Sequence, residues 1–110
     1  MNVTSAAPLV SPIKRAFVNA SSLGSTQVVA AVPGGRIRVF AVAAVAGGAA
    51  SIKLQSAATD ISATFALSAN GGIVLPFNEH GWFETAEGEA LNINLSAAVA
   101  VGISIQYQVM

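Results

Sequence analysis

Short stretches of this chain alternate apolar and polar residues one for one, a period of two that is typical of β-strands with one buried face. The stretches with this pattern are 13–20, 26–32, 51–55, 61–68, 91–96 and 103–109. Turn-forming Gly, Asn and Pro residues separate them at 33–35, 47–48, 70–72, 78–81 and 87–88. Strands and turns at this spacing predict an all-β fold, an antiparallel β-sandwich that is jelly-roll-like, with eight or nine short strands.

The alanine-rich segments 41–50 and 97–100 are the main argument against this fold, because alanine favours helices. Valines are interleaved with the alanines, however, and Gly47 and Gly48 interrupt the first segment. Alternation also continues on one side of each segment. These features favour strands over helices in both places.

The 110 residues are enough for one domain and too few for two independent cores. Residues 1–12 are uncharged and contain Pro8 and Pro12, so they predict an extended N-terminal arm ahead of a single sandwich domain at 13–110. The apolar residues predicted to anchor this arm on a neighbouring chain are Val3, Leu9, Val10 and Ile13. A frayed terminus is the alternative.

The composition predicts that much of the surface is covered by other chains. Charged residues make up 9% of the sequence and hydrophobic residues 54%, whereas an ordinary soluble domain has roughly 25% charged residues. The longest apolar run, 39–50, is shorter than the roughly 18 residues of a membrane-spanning helix, so burial against protein is preferred to burial in a membrane.

The ten charges are divided along the chain. All five basic residues precede all five acidic ones, and the formal net charge is zero. Such a balance provides no phosphate-binding surface for nucleic acid. It favours complementary contacts within or between subunits, although chance is an open alternative for so few charges.

The strand that begins at Ile37 is apolar on both faces along its second half, and residues 98–101 repeat this feature. In an antiparallel sandwich one face of each sheet meets water, so a strand with two apolar faces predicts contact with another subunit. The predicted subunit interface consists of Phe40, Val42, Ala44, Ala98 and Ala100. The predicted assembly is a homotrimer.

No residue pattern predicts catalysis, a cofactor or a metal site. His80 is the only histidine and the chain has no cysteine, so neither a zinc site nor a nucleophile with its base is indicated. The segment 78–81 is interpreted as a polar turn. Trp82 and Phe83 are the only adjacent aromatic residues, and in a strand one of them must point inward while the other can be exposed.

Three segments, 71–78, 81–86 and 88–102, together with the hairpin 28–39, resemble small proteins encoded in the structural regions of tailed phages and prophages. These are known as head decoration or cement proteins, and the resemblance covers roughly residues 24 to 109. It implies a β-sandwich, usually jelly-roll-like and commonly trimeric, on the outside of a capsid. It implies no catalytic residues.

The resulting hypothesis is a virion structural protein that binds the major capsid protein on the capsid exterior and stabilises the shell. Because residues 1–5 show no secretory signal pattern, assembly in the host cytoplasm is expected. A tail-fibre or head-fibre module that contacts a host receptor or glycan is the alternative. A lectin-like sandwich is a third possibility, which would need clustered Asp or Asn metal ligands or stacked aromatic residues.

Overall fold

The computed structural model describes residues 12–110, which contain ten β-strands and no helix. The first five are β1 (Lys14–Ala20), β2 (Gly24–Val29), β3 (Ile37–Ala46), β4 (Ala50–Ser56) and β5 (Thr59–Asp60). The others are β6 (Phe65–Leu67), β7 (Gly72–Leu75), β8 (Phe83–Glu84), β9 (Leu91–Leu95) and β10 (Val101–Val109). Because β5 and β8 are two-residue strands, eight strands of three or more residues remain, in agreement with the predicted number.

The strands form two antiparallel sheets that pack face to face. In the β3 sheet the order is β1, β10, β3, with β7 and β8 pairing along different parts of β3. In the β4 sheet the order is β2, β9, β4, with β5 and β6 both pairing with β4. The first strand pairs with the last, β2 pairs with β9, β3 with β8, and β4 with β6. The chain is therefore arranged as one long hairpin that is folded across the two sheets. The predicted jelly-roll-like β-sandwich is therefore confirmed.

The hydrophobic core lies between the two sheets and takes alternate residues from each long strand. In β9 the buried residues are Leu91, Ile93 and Leu95, and in β10 they begin at Val101 and Ile103. The intervening residues face outward. This is the alternation that predicted the strands, so the inner faces of β9 and β10 match the sequence pattern directly.

The sandwich also explains why the charges divide along the chain. Glu84 on β8 accepts a hydrogen bond from Arg38 Nε at 2.8 Å, because β8 pairs with β3. Lys53 Nζ lies 3.1 Å from Asp60 Oδ2, because β5 pairs with β4. These predicted complementary contacts thus occur within the chain, and their exposure to solvent keeps each of them weak.

A β-bulge in β3 corrects the predicted interface. Ala41 pairs with Gln106 and Val39 with Tyr107, which leaves Phe40 as an extra residue in β3. The bulge reverses the phase of alternation, so Val42 and Ala44 point into the core and are 3% and 2% exposed. They are unavailable to a partner, and the prediction that they form the subunit interface is wrong.

Phe40 itself is buried against a neighbouring loop. Its ring centroid lies 5.5 Å from that of Phe77, and its side chain is nearly inaccessible. It is therefore also removed from the predicted interface. One apolar face of β3 is thus explained by burial, partly against Phe77. The other apolar face, with Ala43 and Val45, is exposed.

The predicted strand 61–68 is interrupted in the structure. Ser62 Oγ accepts a hydrogen bond from Leu54 N at 2.8 Å, and so a side chain takes the place of a backbone partner in the ladder. The segment therefore leaves the sheet after Asp60 and rejoins it at Phe65. An alternating pattern alone does not reveal this substitution.

Buried Thr85 connects the end of β8 to the start of β3. Its Oγ1 accepts a hydrogen bond from Ile37 N at 2.9 Å, and its own N–H donates to Ile37 O at 2.9 Å. Thr85→Val is expected to lower the free energy of unfolding by about 1–3 kcal/mol, because the shape is kept while the Ile37 N–H loses its partner. Urea denaturation monitored by circular dichroism measures this. The same change at exposed Thr59 is the control, and an equal effect there would contradict the assignment.

Candidate association surface

The two outer faces of the sandwich differ sharply in chemistry. The β4 sheet presents polar side chains along β2, β9 and β4. They are Ser25, Gln27, Ser51, Lys53, Gln55, Asn92 and Asn94. This face is suited to contact with water, as expected for one side of an antiparallel sandwich.

Hydrogen bonds within the polar face satisfy many of these groups. Gln55 Oε1 accepts from Ser25 Oγ at 2.9 Å, and Gln55 Nε2 donates to Asp60 Oδ1 at 2.8 Å. The bond from Gln55, together with the bond and charge of Lys53, lowers the pKa of Asp60 below its ordinary value of 3.8. The acidic group thus stays ionised at neutral pH as part of this network.

The outer face of the β3 sheet is more apolar along β3 and β7, whereas β1 and β10 also present Arg15, Asn19, Ser104 and Gln106 on it. Strand register places Phe17 of β1, Ser104 of β10, Ala43 of β3 and Val74 of β7 in one row across the sheet. Small residues occupy the middle of the row and larger ones its two ends. The result is a shallow groove of about 420 Å³ along the sheet, bounded by Phe17 and Val74.

We call this surface the apolar face and define it as Phe17, Ala41, Ala43, Val45 and Val74. Phe17 is 76% exposed and Val74 is 75% exposed, while Val45 is 57% exposed. No segment within residues 12–110 covers these three side chains. Clustered exposure of this kind on a regular sheet makes this surface a candidate for contact with another chain.

A second group of exposed apolar side chains lies in the connection between β7 and β8. We call residues 76–82 the aromatic loop. Phe77 is 53% exposed and Trp82 is 39% exposed. The neighbouring Phe83 packs against the core, so the prediction that one member of the Trp82–Phe83 pair points inward is confirmed.

The aromatic loop is held by several hydrogen bonds. Trp82 Nε1 donates to Pro76 O at 2.7 Å, and Trp82 N donates to Val39 O at 2.7 Å. Asn78 Oδ1 accepts from His80 N at 2.9 Å, which gives the predicted polar turn. Gly81 closes the loop at φ 81°, where a Cβ would lie 2.6 Å from the Arg38 Cγ atom, so glycine is needed there.

The other residues that the sequence predicted as contacts lie outside the apolar face. Ala98 and Ala100 are exposed in the bend between β9 and β10, and they remain available to a partner. Val3, Leu9 and Val10 of the predicted arm lie outside the described residues. Ile13 is exposed directly ahead of β1.

Sequence reasoning did not identify Phe17, Val45 and Val74 as the exposed apolar side chains of this sheet. Phe17 lies between Ala16 and Val18, which are both half-buried in the structure. Because all three residues are apolar, the sequence did not show which of them faces outward. Strict alternation from Ile37 predicts that Val45 lies on the same face as Ile37, whereas the bulge at Phe40 places the two on opposite faces.

Residues 12–110 contain no group of three or more His, Cys, Asp or Glu side chains that could hold a metal ion. In the same part of the chain, no helix is long and apolar enough to cross a membrane. Comparisons with protein-family models, with curated proteins and with solved structures found no match to this chain.

Proposed function

We propose that this chain is a non-catalytic structural protein of a tailed-phage virion, a head decoration or cement protein that assembles as a homotrimer. The observation that carries the proposal is the apolar face on one side of the sandwich opposite a polar face on the other. A protein whose two faces differ in this way packs one face against protein and leaves the other in water.

The apolar face supplies the energy for self-association. Complete burial of a Val or Phe side chain is worth about 1.5–3 kcal/mol, and Phe17, Val45 and Val74 are all available for it. Part of this gain offsets the loss of rotational and translational freedom on association. Alanines and Ser104 between the larger side chains allow the sheets of neighbouring subunits to approach closely.

The location on a capsid is supported by the resemblance of residues 24–109 to head decoration proteins. Jelly rolls occur in viral capsid proteins and also in lectins, so the fold by itself does not decide between these functions. A trimer on a capsid contacts several copies of the major capsid protein at once. Weak individual contacts then sum to stable attachment and strengthen the shell.

The predicted N-terminal arm is the proposed capsid contact. Ile13, which directly follows the arm, is exposed just ahead of the edge strand β1. Deletion of residues 1–12 is expected to leave the sandwich folded and to reduce the number of copies bound per capsid several-fold. Add-back of purified protein to capsids that lack it, followed by gel quantification of bound copies, measures this.

Full-length protein that fails to bind such capsids would contradict the decoration function. Full-length and truncated proteins that bind equally would place the attachment on the sandwich and remove the role of Val3, Leu9 and Val10. The alternative function, a fibre module that contacts a host receptor or glycan, is favoured by one observation, the aromatic loop with its exposed rings.

A further inference from the structure

We infer that the aromatic loop forms a binding site for a neutral saccharide, with the rings of Trp82 and Phe77 as the stacking surfaces. The site is separate from the apolar face, and its existence does not depend on the trimer or on the capsid. It rests on three features of residues 76–82: exposed rings, fixed geometry and polar groups around the rings.

The first feature is a pair of aromatic rings beside a concave surface. Phe77, Asn78, Glu79, His80 and Trp82 line a shallow depression of about 470 Å³. A pyranose ring has apolar C–H faces and a rim of hydroxyl groups. Aromatic faces provide apolar contact for the C–H groups, and a small number of polar side chains orient such a ligand.

The second feature is the fixed position of Trp82. Because its indole N–H is bonded to Pro76 O and its backbone N–H to Val39 O, the ring is held in place before any ligand arrives. Phe77 is likewise supported by its contact with Phe40. A site ordered in advance loses little conformational entropy on binding, which favours small ligands with modest contact areas.

The third feature is the distribution of polar groups on both sides of Trp82. On one side are the Glu79 carboxylate and the His80 imidazole, both largely exposed and 4.0 Å apart. On the other side, Arg38 and Glu84 line a smaller depression of about 160 Å³. These groups offer donors and acceptors to hydroxyl groups, whereas the exposed carboxylate of Glu79 disfavours a phosphorylated or sulfated ligand.

A protein partner is the competing occupant of this loop. The groove of the apolar face is lined mostly by aliphatic side chains and Phe17, together with Arg15, Ser104 and Gln106, as suits a protein contact. At the aromatic loop, carboxylate, imidazole and amide groups line the depression together with the rings. This difference favours the saccharide.

The test uses the fact that Trp82 is the only tryptophan in the chain, so its fluorescence reports on this site alone. The intact protein is titrated with maltotriose, tri-N-acetylchitotriose, mannotriose and lactose. At least one of these probes is expected to change the emission in a saturable manner. His80→Ala and Phe77→Ala are each expected to weaken that binding by about tenfold. Leu23→Ala, which shortens an exposed apolar side chain outside the aromatic loop and the apolar face, is expected to leave it unchanged.

Absence of a saturable change with all four probes would overturn the inference. An emission change that follows protein concentration, with no response to sugar, would show that the aromatic loop is a protein contact and would also overturn it. Because His80 is almost fully exposed, its substitution does not endanger the fold, so loss of binding in that variant is not explained by unfolding. Trimer formation, measured separately by light scattering, reports on the proposed function and not on this site.

Discussion

Val74→Glu is expected to leave the sandwich folded and to dissociate the assembly into monomers. Val74 is 75% exposed within one chain, so a glutamate there meets water in the monomer and costs little. Across a subunit interface the same carboxylate loses its hydration without gaining a partner. A penalty of about 3 kcal/mol per subunit lowers the association constant by a factor of about 100 for each contact.

Light scattering coupled to size-exclusion chromatography measures this effect as a fall from the trimer mass to that of the 11.0 kDa chain. Gln27→Glu is the matched control, because Gln27 is exposed on the polar face of the other sheet. The control is expected to remain assembled. If Val74→Glu stays assembled with unchanged mass, the apolar face is not the subunit contact.

Val42→Glu is expected to have the opposite effect and to unfold the chain. Val42 lies in β3 next to Ala43, the residue that pairs with Val74, but its side chain is buried between the sheets. An unpaired carboxylate in the core costs about 4 kcal/mol or more. Domains of this size are stable by roughly 5–15 kcal/mol, so most of the stability is lost.

Circular dichroism during thermal melting measures the loss, with Ala43→Glu as the matched control one residue away. Ala43 faces outward, so its variant is expected to lose assembly but to keep a cooperative melting transition as a folded monomer. A Val42→Glu protein that melts normally but fails to assemble would mean that Val42 faces the partner. That result would restore the interface predicted from the sequence and contradict the bulge at Phe40.

The long strands were predictable because their alternation reflects one buried and one solvated face. In β9, Leu91, Ile93 and Leu95 alternate with Asn92 and Asn94, and the structure separates the two sets as the pattern predicts. The turn at Pro33 and Gly34 was predictable for a similar reason, since both residues favour turn conformations. These parts of the fold depend on local chemistry.

The contact surface was not predictable in the same way, because it depends on an irregularity that local patterns do not encode. One extra residue at Phe40 exchanges the inner and outer faces of the second half of β3. The sequence indicated that both faces of this strand are apolar, but not which one the core uses. Strand order determines the rest, since Val74 lies in one row with Phe17 only because β7 pairs with β3, β3 with β10, and β10 with β1.

Thiol labelling of a Val74→Cys variant tests most directly whether the apolar face is covered by another chain. The natural sequence has no cysteine, so a single introduced thiol reports on one position. We expect the thiol of the assembled protein to react with a maleimide at least tenfold more slowly than the thiol of Gln27→Cys on the polar face. If both thiols react at the same rate in the native protein, the apolar face is open to water and the central claim is wrong.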